Sequence, residues 1–139
     1  MKFIELINLN QILSKNPNTS LLENKTKISV VRYLAAIKAE LEVFNTLQKE
    51  IKSKHGLTMD EGPDFNEAVK KLYEENKKGY DSLNTEMQGL GEEETTVANL
   101  TMTETEFFIF CADKKINADT TFCYTLDELQ LLSKFLEYE

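Results

Sequence analysis

Residue types able to do chemistry at neutral pH are scarce in these 139 residues: one histidine, His55, two cysteines, Cys111 and Cys123, and 24 acidic side chains. General acid–base catalysis draws on a histidine or on a carboxyl group pushed far from its ordinary value. His55 follows Lys52 and Lys54 and precedes Gly56, an order that suits the end of a helix, where the dipole favours a protonated imidazole. It offers no partner from which to assemble a hydrolase triad. Zinc takes several thiolates and imidazoles at close spacing, which Cys111, Cys123 and a remote His55 do not supply. Glu92-Glu93-Glu94 with Glu86 makes an acidic turn, without the alternating oxygen ligands and fixed glycine of a calcium loop. Gly89-Leu90-Gly91 lacks the third glycine, the preceding strand and the following Lys-Ser/Thr that make a phosphate loop. The expectation is a protein that is not an enzyme and needs neither cofactor nor metal.

Composition then narrows the partners. With 41% hydrophobic and 29% charged residues the chain should fold, as one domain covering residues 1–139. Lys and Arg number 16 against 24 Asp and Glu, and the net charge of -8 repels a phosphate backbone. The lysines at 49, 52, 54, 70, 71, 77 and 78 are interleaved with Glu50, Glu67, Glu74 and Glu75. That is the pattern of solvated helix faces with opposite charges at helical spacing, so no direct nucleic-acid contact is expected. Apolar runs such as Phe107 to Ala112 fall far short of the ~20 residues that span a bilayer. Lys2 is followed by Glu5, Asn8 and Asn10 before any long apolar stretch, unlike a secretory signal. The protein is therefore expected to stay where it is made. Cys111 and Cys123, set among Phe110, Phe122 and Tyr124, read as buried free thiols, with a disulfide between them left open.

These residues must be positioned by helices. Residues 2–7 read either as a short strand or as a first helical turn, continued by Leu9, Ile12 and Leu13 and broken at Asn16-Pro17-Asn18. From about Lys27, Val30, Leu34, Ile37, Leu41, Phe44, Gln48 and Ile51 recur at alternating steps of four and three. This predicts a helix of about 28 residues, roughly 42 Å long, capped by Thr26 or Ser29 and stopped by Gly56. Asp60-Glu61-Gly62-Pro63 is a turn, and a second helix follows with the stripe Phe65, Val69, Leu72 or Tyr73, Asn76, Tyr80, Leu83, Met87 and Leu90, weakened at Gly79. Two such helices joined by a short turn fold back as an antiparallel hairpin.

Beyond Glu92-Glu93-Glu94, Val97, Leu100 and Met102 alternate as in a strand. Phe107 to Ala112 fit either a buried strand or a buried helical turn, and Thr120 to Tyr124 are strand-like. Thr125-Leu126-Asp127-Glu128 is a capping box that opens a last helix with Leu126, Leu129, Leu132 or Leu131, Phe135 and Leu136 on its apolar face. The fold expected is mainly α with a small β element. It comprises an N-terminal segment (1–25), a long antiparallel helical hairpin (27–91), and a strand region with a C-terminal helix (92–139).

Lys27-Ile28-Ser29-Val30-Val31-Arg32-Tyr33-Leu34-Ala35 leading into a long charged helix, Lys54-His55-Gly56 at its end, and Leu126-Asp127-Glu128-Leu129-Gln130-Leu131-Leu132 together cover about half the chain. In these segments it resembles a group of short proteins encoded by tailed bacteriophages of low-GC hosts. The resemblance implies a phage setting, in the virion or the host cytoplasm, where small non-enzymatic proteins serve as virion parts, assembly factors or binders of host proteins. It implies no catalytic residue, and a shorter second helix than the periodicity suggests. The leading expectation is a structural or assembly protein that docks through surplus apolar side chains, Phe107, Phe108, Phe110, Phe135 and Leu136. The alternative is an acidic inhibitor of a host nucleic-acid-binding or defence protein, its surface of Glu86, Glu92, Glu93, Glu94, Glu104 and Glu106 imitating phosphate. A homo-oligomer through the hairpin stripe, with Gln48 and Asn76 setting register, also fits.

Overall fold

The opening segment is a helix. In the structure, a computed structural model describing residues 1–138, α1 spans Phe3–Ser14; Leu6, Leu9, Ile12 and Leu13 bury in the main core, and Phe3 buries separately against Phe44 and Leu90. The Glu5 carboxylate accepts from the Lys2 N–H at 3.1 Å at its start. Asn16-Pro17-Asn18 breaks the helix as expected and opens a 3-10 turn over Pro17–Leu21. The two asparagines do more than turn the chain. Asn18, fully buried, donates to the carbonyls of Ala112 (2.7 Å) and Phe110 (3.2 Å), and Asn16 donates to Phe110 O (2.7 Å) and Tyr124 Oη (2.9 Å). Tyr124 in turn donates to Ile12 O at 2.8 Å.

The long helix α2 spans Asn24–Lys54, three residues earlier than the stripe suggested. Thr26 and Ser29 are thus inside it and not its caps; Glu23 is the N-cap residue, and the Thr26 hydroxyl donates to the Glu106 carboxylate at 2.7 Å. Its end is as expected: His55 closes the last turn and Gly56 takes φ +80°, the left-handed conformation that costs glycine nothing.

The second helix is two. α3 spans Pro63–Glu75 and α4 Lys77–Glu92, with the break at Asn76 and not at Gly79. Asn76 leaves helical geometry, and its side chain accepts from the Gly79 N–H at 3.1 Å, so it caps α4. A Cβ at residue 79 would lie 2.7 Å from Asn76 Nδ2, so glycine there makes room for the cap. α3 folds back on α4, with Tyr73 and Tyr80 rings edge-on at 5.0 Å. The hairpin is therefore α2 with α4. Lys54 and His55 meet Glu86, while Phe44 packs with Leu90, an antiparallel order. Of the two polar positions in the stripes, Gln48 is half-buried on α2 and Asn76 caps α4. Because α3 buries no residue fully, its amides are expected to exchange with solvent faster than those of α1 or α2, which hydrogen exchange read by mass spectrometry checks directly.

In the last third, β1 (Leu100–Met102) is the only strand within the stretch 95–102. α5 spans Glu104–Cys111, so the Phe107 run is helical. β2 (Lys114–Lys115) pairs antiparallel with β3 (Thr121–Phe122), and α6 (Leu126–Phe135) leads into β4 (Leu136–Tyr138), which runs parallel to β1 with Leu100 opposite Leu136. The capping box at Thr125 and Glu128 is present. Leu126 is exposed, however, and Leu136 lies in β4, so α6 buries Leu132 and Phe135, flanked by Leu129 and Leu131. With six α-helices and two two-stranded sheets among the described residues, the fold is mainly α with a small β part. One hydrophobic cluster joins α1, the N-terminal half of α2, β1, α5, β3, α6 and β4; a smaller one joins Phe3, Phe44 and Leu90. Much of the partner that the α2 stripe requires is thus α1 and the C-terminal third, not the second helix.

Candidate interaction surface

Four of the five side chains expected to dock a partner are interior. Phe107, Phe110, Phe135 and Leu136 belong to the main core, and only Phe108 is exposed, at 65%. Much of the apolar material of the C-terminal third goes into the core with α1 and α2, while Phe108, Ile109, Ile116 and Leu126 stay exposed.

The acidic surface is likewise partly committed. Glu92 pairs with Lys2 (2.6 Å), Glu94 with the Met1 ammonium (2.7 Å), and Glu93 lends its carbonyl to the Phe3 N–H (3.1 Å). This turn ties the end of α4 to the start of α1. Glu86 holds Lys54 at 2.7 Å and His55 at 3.0 Å, and Lys54 first, then His55, keeps its carboxyl below the usual range. Glu104 is exposed, but Glu106 is buried against Thr26, Thr103 and the N–H of Glu23.

Lowered carboxyls carry a pH dependence. Lys134 holds Glu5 down and Lys15 holds Glu128 down, joining α1 to α6 from both sides, as Lys54 does for Glu86. A carboxyl lowered on folding contributes stability above its ordinary value near 4.5, and loses that contribution as pH falls through the lower folded value. Thermal unfolding is therefore expected at progressively lower temperature below about pH 4.5, with a shallower acid dependence in a Glu5→Gln, Glu128→Gln double variant.

Cys111 is half-buried, its thiol pushed up to about 11 by burial, whereas Cys123 is exposed; both are free. The expectation of two buried thiols holds in part for the first only. Among the described residues no group of three or more His, Cys, Asp or Glu stands close enough to hold a metal ion, and no helix is long and apolar enough to cross a membrane.

What the heptad stripe hid is the other side of α2. Val30, Tyr33, Ile37 and Phe44 point inward. On the opposite side, at steps of three and four, lie Ile28, Val31, Ala35, Ala39 and Val43, all exposed, with Val31 at 62%. They form an arc about 22 Å long at 1.5 Å per residue. Charges flank it: Lys25 and Arg32 toward its N-terminal end, Lys38 and Glu42 past its middle, and Lys49 and Glu50 beyond its C-terminal end, all exposed. None of Lys25, Arg32, Lys38, Glu42 and Glu50 forms an ion pair with another described residue. Next to the arc, a groove of about 500 Å³ runs between Ser29, Arg32, Tyr33 and Ala36 of α2 and residues 96–101. The Tyr33 hydroxyl nearby is buried without a hydrogen-bond partner, and burial pushes its ionisation up to about 12. A helix apolar on both sides has one face for its own core and one left in water.

Compared with protein-family models, with curated proteins and with solved structures, the chain matches none.

Proposed function

We propose that this is a non-catalytic bacteriophage structural or assembly protein that works through protein–protein contact, and that the contact surface is the outer face of α2. The observation that carries this reading is the exposed arc Ile28, Val31, Ala35, Ala39 and Val43 on a helix whose other face is already buried in the core. Large aliphatic side chains held in water on a rigid helix gain free energy when a partner covers them, about 25 cal/mol for each Å² removed from water. The phage setting comes from the resemblance of the segments 27–35, 54–56 and 126–132. Acidic mimicry has less support, since Glu92 and Glu94 spend their charge on Lys2 and the Met1 ammonium, and Glu106 is buried.

The test is a phage carrying Val31→Asp in this chain. Val31 is exposed, so the fold should stay within about 0.5 kcal/mol of the parent. Loss of the protein from purified particles or assembly intermediates, with fewer complete particles, is the expected result. Normal particles with the variant incorporated as before would refute the reading.

A further inference from the structure

We propose that the free edge of β1, with the groove beside it, docks a short extended segment of a partner protein that carries one acidic side chain among β-branched ones. β1 has a neighbouring strand, β4, on one side only. The groove is walled by residues 96–101 and by Ser29, Arg32, Tyr33 and Ala36, with nothing from β4, so it opens along the unpaired side. The segment leading into β1 is drawn out beside α2. Thr96 Oγ1 lies 3.5 Å from the Glu40 carboxylate, and further along Thr103 shares the Glu106 carboxylate with Thr26. From residue 26 to residue 40 a helix rises about 21 Å, and the run from 96 to 103, as a strand, spans about 23 Å.

The occupant follows from what this edge leaves unmet. The backbone N–H and C=O groups of Thr96, Val97 and Ala98 have no hydrogen-bond partner among the described residues. Such a row is matched by the alternating donors and acceptors of another extended chain. From Thr95 to Thr103 there is no charge, proline or glycine, in a chain that is 29% charged; edges kept from pairing carry charges or proline. Arg32 forms no ion pair, which calls for a carboxylate in the groove. Tyr33, 7% exposed, holds a hydroxyl without a partner, and a docked chain can supply one. A second copy fits worse. Glu93 and Glu104, both exposed, bracket the run, so two copies paired through it set glutamates side by side in either direction. A segment with cations at its ends answers them instead.

Fluorescence anisotropy of the labelled peptide Lys-Thr-Val-Thr-Glu-Thr-Val-Thr-Lys with the full chain tests this, beside the same peptide with Gln or Lys at its centre. Saturable binding is expected, about tenfold weaker for Gln and weaker again for Lys. Ala98→Pro removes an edge N–H that no native bond uses, and should abolish binding. Arg32→Glu should reverse the order, so that the Lys-centred peptide binds best. Ala98 and Arg32 are both exposed, and circular dichroism verifies that each variant keeps its helices. No saturable binding of the Glu-centred peptide by the parent chain overturns the proposal, as does binding that Ala98→Pro leaves unchanged or an order that Arg32→Glu does not reverse. A parent chain that dimerises, with an Ala98→Pro chain that does not, overturns it in favour of a second copy on this edge. None of these outcomes depends on the outer face of α2, whose Val31→Asp variant is read in phage particles.

Discussion

Phe110→Ala is expected to cost about 3–5 kcal/mol of folding stability, the range for deleting a fully buried aromatic ring without refilling the space. Phe110 is 0% exposed and sits where α5 meets α1, the 3-10 turn and Tyr124. Its carbonyl is held by Asn16 and Asn18, so collapse of the helix around the cavity would also disturb hydrogen bonds that clamp the C-terminal end of α5. The neighbouring Phe108→Ser, at an exposed position, should change stability by no more than about 0.5 kcal/mol. Urea unfolding of both variants separates a core role from a surface role for this aromatic run. Equal, small effects at the two positions would mean that α5 does not pack as described.

The second large effect is expected from Glu106→Ala, about 2–3 kcal/mol. The buried carboxylate accepts from the Thr26 hydroxyl at 2.7 Å and from the Glu23 N–H at 3.4 Å, so it caps α2 from another element while sitting in the first turn of α5. Negative charge at two helix N-termini is favourable through both dipoles. Its removal leaves the buried Thr26 hydroxyl without its acceptor. Glu106→Gln, which keeps an acceptor oxygen but not the charge, should lose less. A surface glutamate would give neither effect, so chemical denaturation of the pair decides whether this side chain is structural.

Periodicity made the helices legible and left their pairing hidden. The stripe from Val30 to Ile51 announced α2, Gly56 its end, and the Thr125 and Glu128 box the start of α6, because each is a local rule of spacing or capping. The break at Asn76 was not legible: an asparagine that caps within a continuous apolar stripe differs from one that faces solvent only in its backbone angles. Phe107 to Cys111 could be assigned to a helix only once Thr103 was recognised as its cap. The pattern Thr103-Glu104-Thr105-Glu106 is the same signature as Thr125 to Glu128, and its Thr103 Oγ1 accepts from the Glu106 N–H. What no local rule contains is that the glutamate then turns away to cap α2, 83 residues earlier in the chain. The candidate surface was present in the sequence as Ile28, Val31, Ala35, Ala39 and Val43. A helix with two apolar faces shows its heptad first, and which face is buried depends on what α1 and the C-terminal third cover.

That asymmetry between the two faces of α2 is the basis for the function proposed here, and side-chain footprinting by hydroxyl radicals measures it directly. The protein in assembled particles should be compared with the isolated Val31→Asp chain. Val43 and Ile28 are expected to be shielded in the assembled wild type and freely labelled in the variant, while Tyr73 and Leu126, exposed elsewhere, label equally in both. Equal labelling of Ile28 and Val43 in the two samples would show that the outer face of α2 stays in water, contradicting its role as the contact surface.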